Sequence, residues 1–188
     1  MAINVAINGF GRIGRYFTRI ALQNDNINIV AINDLADNKT LAHLFKYDSV
    51  HRTYQGKTSP TEEGMNVDGH DILMTTIRNP EDLPWKALDI DIVIESTGIF
   101  RTTELASKHL QAGAKKVILS APPKSDDIKS VVMGINEEIL DGTETIISNA
   151  SCTTNSAAPL VHVMKKLGKI DSCYITTIHS YTSDQKLH

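Results

Sequence analysis

Residues 3–34 constrain the fold of this chain more tightly than any other stretch. Ile3-Asn4-Val5-Ala6-Ile7-Asn8 is mostly apolar with little alternation, the pattern of a parallel strand covered on both faces. Gly9-Phe10-Gly11-Arg12-Ile13-Gly14 follows, then Arg15 to Asn24, with Ile13, Phe17, Ile20 and Ala21 on one helical face. A second strand, Ile27 to Asn33, ends at Asp34, twenty residues after Gly14. Strand, glycine-rich turn, helix, strand and acid in this order make the dinucleotide-binding fingerprint in its required context. Gly9 permits the tight turn, Gly11 lets a pyrophosphate approach the backbone, and Gly14 lets helix and strand pack closely. The helix N-terminus holds the diphosphate. Asp34 is placed to accept hydrogen bonds from ribose hydroxyls, and its charge repels a 2′-phosphate. Leu35-Ala36-Asp37-Asn38 brings no arginine to offset that charge, so the expected cofactor is NAD in preference to NADP. Capping of the next segment is the alternative role for Asp34.

The later segments repeat the alternation of strands and helices. Leu41 to Tyr47 reads as a short helix and His51 to Pro60 as a polar connection. Met65-Asn66-Val67 and Ile72 to Thr76 flank Asp68-Gly69 and read as a hairpin. Arg78-Asn79-Pro80 and Leu83-Pro84-Trp85 form a Pro-punctuated loop. Asp91 to Glu95 is a buried strand, and its ending, Ser96-Thr97-Gly98-Ile99-Phe100, suits close approach by a ligand at the carboxyl edge of a sheet. Thr102 or Thr103 can cap a helix from Glu104 to Gln111. Lys116 to Ser120 is a strand, and Val131-Val132-Met133 a candidate for one more. This pattern predicts a doubly wound parallel α/β sheet.

A second feature lies downstream. Glu144-Thr145-Ile146-Ile147 reads as a strand, and Ser156 to Met164 carries a helical pattern. Cys152 therefore sits where a strand turns into a helix, with Ser151 as the natural N-cap. Unpaired amides and the positive end of the helix dipole favour a thiolate there. Cys152 is the candidate nucleophile; the competing reading is a small buried hydrophobe. His179 lies on the next predicted strand, Ser172 to Tyr181, and is the candidate base. Cys173 on that strand reads as inert packing.

Composition narrows the function classes. The chain has 188 residues, 41% hydrophobic, with a net charge of -3 and two cysteines. A core of ordinary size can form. No broad basic field suggests nucleic acid or an anionic membrane as a partner. The N-terminus reads as a first strand and not as a signal peptide. No apolar run approaches the roughly 18 residues needed to span a bilayer. The cysteine usage fits a reducing cytoplasm. His43, His51, His70, His109, His162 and His188 show no metal-ligand spacing, so no metal is expected.

Segments along the whole chain resemble phosphorylating glyceraldehyde-3-phosphate dehydrogenase. They are Asn8 to Arg15, Asn33-Asp34, Leu83-Pro84-Trp85, Glu95 to Phe100, Lys116 to Pro122, Ser148-Asn149-Ala150-Ser151-Cys152-Thr153-Thr154-Asn155, and Thr176 to Tyr181. The resemblance implies a doubly wound (Rossmann) NAD-binding domain over residues 1–150. Residues 151–188 would then be the first helix and strand of an α+β catalytic domain, truncated. It implies cofactor contacts from Gly9, Phe10, Gly11, Arg12, Ile13, Gly14, Asp34, Arg78, Thr97, Gly98 and Ser120. It further implies Cys152 and His179 as catalytic residues, Ser151 and Thr153 at an inorganic-phosphate site, and Thr182 at a substrate-phosphate site. The implied reaction is NAD-dependent conversion of D-glyceraldehyde 3-phosphate and inorganic phosphate to 1,3-bisphosphoglycerate, in glycolysis, by a cytoplasmic homotetramer.

Members of that family run to nearly twice this length. The family's phosphate-binding arginine, a further phosphate threonine and the asparagine that orients the nicotinamide amide would lie beyond His188. Apolar surface normally covered by the missing part would be exposed and prone to aggregate. Ser156 stands where many members carry a second cysteine, which removes a nearby thiol that could trap oxidised Cys152. Two alternatives stand beside this reading. One is erythrose-4-phosphate dehydrogenase; the other is a chain that binds NAD and does not turn over. A nucleic-acid role through the dinucleotide cleft has no support in the charge pattern.

Overall fold

The computed structural model of the chain describes residues 2–180. Among these, nine strands form one sheet: β1 (Ile3–Asn8), β2 (Ile27–Asn33), β3 (Thr58–Pro60), β4 (Gly64–Val67), β5 (His70–Thr75), β6 (Ile92–Glu95), β7 (Lys116–Leu119), β8 (Lys129–Ser130) and β9 (Ile146–Ser148). The helices are α1 (Arg12–Ala21), α2 (Asn38–Lys46), α3 (Thr103–Gln111) and α4 (Cys152–Leu167). Strand order is β3-β4-β5-β2-β1-β6-β7-β9-β8. From β5 through β8 neighbours run parallel, while β3, β4 and β5 make an antiparallel edge. The hairpin expected at Asp68-Gly69 is present, with φ of 51° and 91° at its two turn residues. Two positive φ values in a two-residue turn match the twist of the flanking strands.

The near-continuous apolar strands are explained by two covered faces. Val5 and Ile7 of β1 join Ile29, Ile32, Ile94, Phe10 and Phe45 on one side of the sheet. Ala6 joins Ala31, Val93, Trp85 and Ile90 on the other. A register shift against β2 at Val5/Ala6 keeps both sets in phase. Each fully buried Ile or Phe contributes roughly 1.5–3 kcal/mol.

Thr58–Pro60, the end of the expected polar connection His51 to Pro60, is strand β3, because it finds β4 as an antiparallel partner. Four further details differ from the sequence expectations. Helix α1 starts at Arg12 and buries Gly14, Thr18, Arg19 and Ala21, leaving Ile13 and Ile20 exposed. Arg19 takes the apolar positions because its guanidinium donates to the carbonyls of Phe45, Lys46, His51 and Arg52 and lies over the Phe45 and Tyr54 rings. Its stem packs while its donors are satisfied. Helix α2 starts at Asn38, earlier than Leu41, because the Asp37 carboxylate accepts from the Thr40 amide at 2.9 Å. The strand near Val131 is instead Lys129–Ser130, with Val131 and Val132 buried just beyond it.

The fourth difference is larger. Residues 172–180, expected to begin the strand Ser172 to Tyr181, form no ladder and are exposed; Tyr181 lies outside the described residues. An apolar β-rich segment needs a neighbour to satisfy its backbone, and no strand of the sheet lies beside this one. Cys173 is accordingly exposed and not packed. Helix α4, which precedes it, has no buried residue.

Candidate active site

Because β1, β2, β6, β7 and β9 are parallel, their carboxyl ends share one edge of the sheet. The order β2-β1-β6 makes β1 the switch point, where ligands of such sheets bind. A cleft of about 430 Å³ opens there, lined by Asn8 and Gly9 at the end of β1, Asn33 and Asp34 at the end of β2, and Thr97 and Phe100 after β6, with Gly11 and Arg78 among its other walls.

The fingerprint glycines divide by role. Gly9 has φ +94°, and a Cβ on it would lie 2.7 Å from the Thr97 amide nitrogen. A Cβ on Gly14 would lie 2.3 Å from the Gly9 carbonyl oxygen. Both positions are closed by backbone. Gly11 has nothing within 4 Å of the same point, so the space beside it is open on the cleft side. The start of α1 is also the one among the four helices whose N-cap makes no side-chain hydrogen bond; Asp37, Thr102 and Ser151 cap the others. Free amides beside an open cradle fit a diphosphate.

Asp34 closes the far side. Its Oδ2 accepts from the Phe10 amide at 2.7 Å and its Oδ1 from the Ala36 amide at 3.0 Å. The carboxylate therefore ties the fingerprint loop to the end of β2 and keeps one lone pair on each oxygen for a ligand hydroxyl.

Cys152 is the first residue of α4, and Ser151 caps it by accepting from the Thr154 amide at 2.9 Å. The turn before it is held tightly. Ala150 is in the left-handed region at φ 56°, its amide donating to Ser148 Oγ at 3.0 Å. Asn155 Nδ2 donates to the carbonyls of Asn149 and Ser151 at 2.7 and 2.9 Å. His179 Nε2 lies 3.1 Å from Cys152 Sγ. That contact is the main cause of a lowered Cys152 pKa, with the Thr153 amide and hydroxyl adding to it and burial opposing. The thiolate in turn raises the His179 pKa, helped by the Ser180 carbonyl and opposed by burial and then by the guanidinium of Arg12. Arg12 belongs to the fingerprint loop, so its charge acts from the cofactor side on the cysteine's partner. A lowered thiol beside a raised imidazole shifts the pair towards thiolate and imidazolium.

Of the expected cofactor residues, Gly9, Gly11, Asp34, Arg78 and Thr97 line the cleft. Arg12 and Ile13 are exposed at the start of α1. Phe10 is buried and stacked on Phe45 with centroids 6.0 Å apart, so only its backbone faces the site. Gly14 is buried beneath the loop. Gly98 has φ +75° in the turn after β6, and Ser120 follows β7 with its amide on the Glu95 carbonyl at 3.0 Å. Ser151 and Thr153 flank Cys152, whereas Thr182 lies outside the described residues. Asn8 and Asn33 were not singled out by the sequence reading. Their signal was available: each is a polar residue closing an otherwise apolar strand at the ligand edge.

Comparison with known proteins gives two family matches. Residues 3–103 match the glyceraldehyde 3-phosphate dehydrogenase NAD binding domain, and residues 151–188 match the glyceraldehyde 3-phosphate dehydrogenase C-terminal domain. The chain is 57% identical over 185 residues to a glyceraldehyde-3-phosphate dehydrogenase of Thermotoga maritima, covering 97% of this chain and 55% of that protein. It is 50% identical over 188 residues to one of Geobacillus stearothermophilus, covering 100% and 56%. A glyceraldehyde-3-phosphate dehydrogenase 2 of Staphylococcus epidermidis is 49% identical over 187 residues, covering 99% and 55%. The chain thus spans about half the length of the curated relatives it matches.

Proposed function

The chain belongs to the glyceraldehyde 3-phosphate dehydrogenase family, with NAD as its cofactor, and from that premise we propose that it carries the nucleophile and the cofactor cleft for NAD-dependent phosphorylating oxidation of D-glyceraldehyde 3-phosphate. The single observation that carries this reading is the 3.1 Å contact between Cys152 Sγ and His179 Nε2 on the sheet edge that also forms the cleft. The Cys152 thiolate attacks the aldehyde carbon and forms a thiohemiacetal. The Cys152 amide and the His179 ring are the donors for its oxyanion. His179 then takes the hydroxyl proton as the carbonyl re-forms as a thioester. NAD, held by the loop Gly9 to Gly14, by Asp34 and by Thr97, supplies the hydride acceptor when bound. Inorganic phosphate, received beside Ser151 and Thr153, attacks the thioester carbon. The thiolate leaves, and 1,3-bisphosphoglycerate is released. The covalent thioester conserves the free energy of oxidation for the acyl phosphate.

This reading assigns residues 1–150 to the cofactor domain and residues 151–188 to the beginning of the catalytic domain. It extends to a glycolytic, cytoplasmic homotetramer. A second reading, NAD binding without turnover, is favoured by the exposure of α4 and the unpaired course of residues 172–180. Formation of reduced nicotinamide with the triose phosphate or with erythrose 4-phosphate, each with and without inorganic phosphate, tests both. Phosphate-dependent oxidation of the triose, abolished by Cys152→Ser, is the expected result. Preference for the tetrose overturns the substrate assignment, and NAD binding without oxidation of either aldehyde selects the second reading.

A further inference from the structure

Behind the cleft lies a chain of buried polar groups that the proposed chemistry does not use. Glu95 is 2% exposed, and His109 and Trp85 are fully buried. Glu95 Oε1 accepts from the Thr97 amide at 2.8 Å and from the Thr97 hydroxyl. Its Oε2 accepts from Asn8 Nδ2 at 2.6 Å and faces His109 Nε2 at 2.9 Å. Trp85 Nε1 donates to His109 Nδ1 at 3.0 Å. An indole N–H can only donate, so Nδ1 carries no proton and the ring is the neutral Nε2–H tautomer. All four partners of Glu95 are then donors, and both of its oxygens accept only, as those of a carboxylate do.

That carboxylate dictates polarity outward. Asn8 must turn its NH2 group towards Glu95, which leaves Oδ1 to accept from Asn33 Nδ2 at 2.7 Å. Asn33 in turn presents Oδ1 to the Thr75 hydroxyl at 2.8 Å and to the Ile77 amide at 2.9 Å. The Thr97 hydroxyl proton is committed to Glu95, so towards the cleft its oxygen can only accept. Asn8, Asn33 and Thr97 are cleft walls, whereas Glu95, His109 and Trp85 stand one layer behind them.

We propose that Glu95 is a positioning residue for cofactor binding: its buried carboxylate fixes the donor and acceptor polarity of the cleft floor across β2, β1 and β6. This rests on the cleft being the NAD site. A glutamine of the same shape cannot do the task. Its NH2 group would face either the two donors of Thr97 or those of Asn8 and His109. In the second case Asn8 must invert, and Asn33 with it.

Two measurements test the proposal. Imidazole nitrogen NMR of the NAD-free chain, with His109 assigned by loss of its signals in His109→Gln, should show the neutral Nε2–H tautomer at neutral pH. Calorimetry should show the NAD dissociation constant of Glu95→Gln raised about tenfold or more, the scale of one buried donor left unpaired. A merely structural role would lower the unfolding temperature and leave that constant unchanged, so Glu95→Gln that folds and binds NAD as the parent does overturns the proposal. An Nδ1–H or doubly protonated His109 overturns it even where the variant does not fold. Failure of the unsubstituted chain to bind NAD overturns the NAD assignment of the cleft and this proposal with it. It is told apart because it appears before any substitution.

Discussion

At the residue scale, the Asp34 carboxylate ties the loop after β1 to the end of β2, beside the ribose role proposed for it. The spacing from Gly14 leads to the proposal of a ribose-facing carboxylate, which rests on a rule about dinucleotide folds. The bond to the Ala36 amide is local, of the kind the capping alternative describes, whereas the bond to the Phe10 amide was not legible, because it depends on how the loop after β1 folds back over the end of β2. Asp34→Ala should therefore do more than relax discrimination against NADP. It should also destabilise the fold by about 1–3 kcal/mol, the cost of leaving part-buried amides without their charged acceptor. Urea denaturation reads the stability and calorimetry with both cofactors reads the preference. An unchanged NAD-to-NADP ratio would contradict the ribose role, and unchanged stability would contradict the loop tie. Arg19 teaches a related lesson. Its type predicts exposure, but four backbone carbonyls and two aromatic rings make it a core residue.

At the scale of elements, the strand-turn-helix unit separates glycines closed in by backbone, Gly9 and Gly14, from Gly11, which faces open space. Gly14→Ala drives a Cβ into the Gly9 carbonyl and should cost about 3 kcal/mol or more. Gly11→Ala meets nothing within 4 Å and should change stability by less than about 1 kcal/mol, while weakening NAD binding about tenfold or more. Thermal unfolding and calorimetry on the two variants distinguish these cases; equal loss of stability in both would contradict the division. The existence and order of β1, α1, β2, the hairpin, β6, α3, β7 and α4 were legible because periodicity, caps and turn residues are local signals. The buried face of α1 and the course of residues 172–180 were not. The first is decided by Arg19 reaching carbonyls on another segment, and the second by the lack of a neighbouring strand. The Glu95 network was equally hidden, since its members are separated by up to 101 residues in sequence.

At the scale of the whole molecule, one sheet edge gathers the cleft and Cys152, while α4 projects an apolar face. Leu160, Val163, Met164 and Leu167 recur at helical spacing and are all more than half exposed. An apolar stripe of this kind favours association. The chain should self-associate with rising concentration and bind a hydrophobic dye, and Leu160→Ser with Leu167→Ser should reduce both. Light scattering that shows a monomer at all concentrations would contradict this. The central claim concerns the other end of α4, where a residue 27 positions away in sequence meets Cys152. The most direct test is the rate of Cys152 alkylation as a function of pH, in the unsubstituted chain and in His179→Asn, with the modified site identified by mass spectrometry. The lowered Cys152 pKa predicts a midpoint below that of an ordinary thiol in the unsubstituted chain, and loss of its principal cause predicts an upward move in His179→Asn. An ordinary thiol midpoint in the unsubstituted chain, or one unmoved by the substitution, would contradict the account.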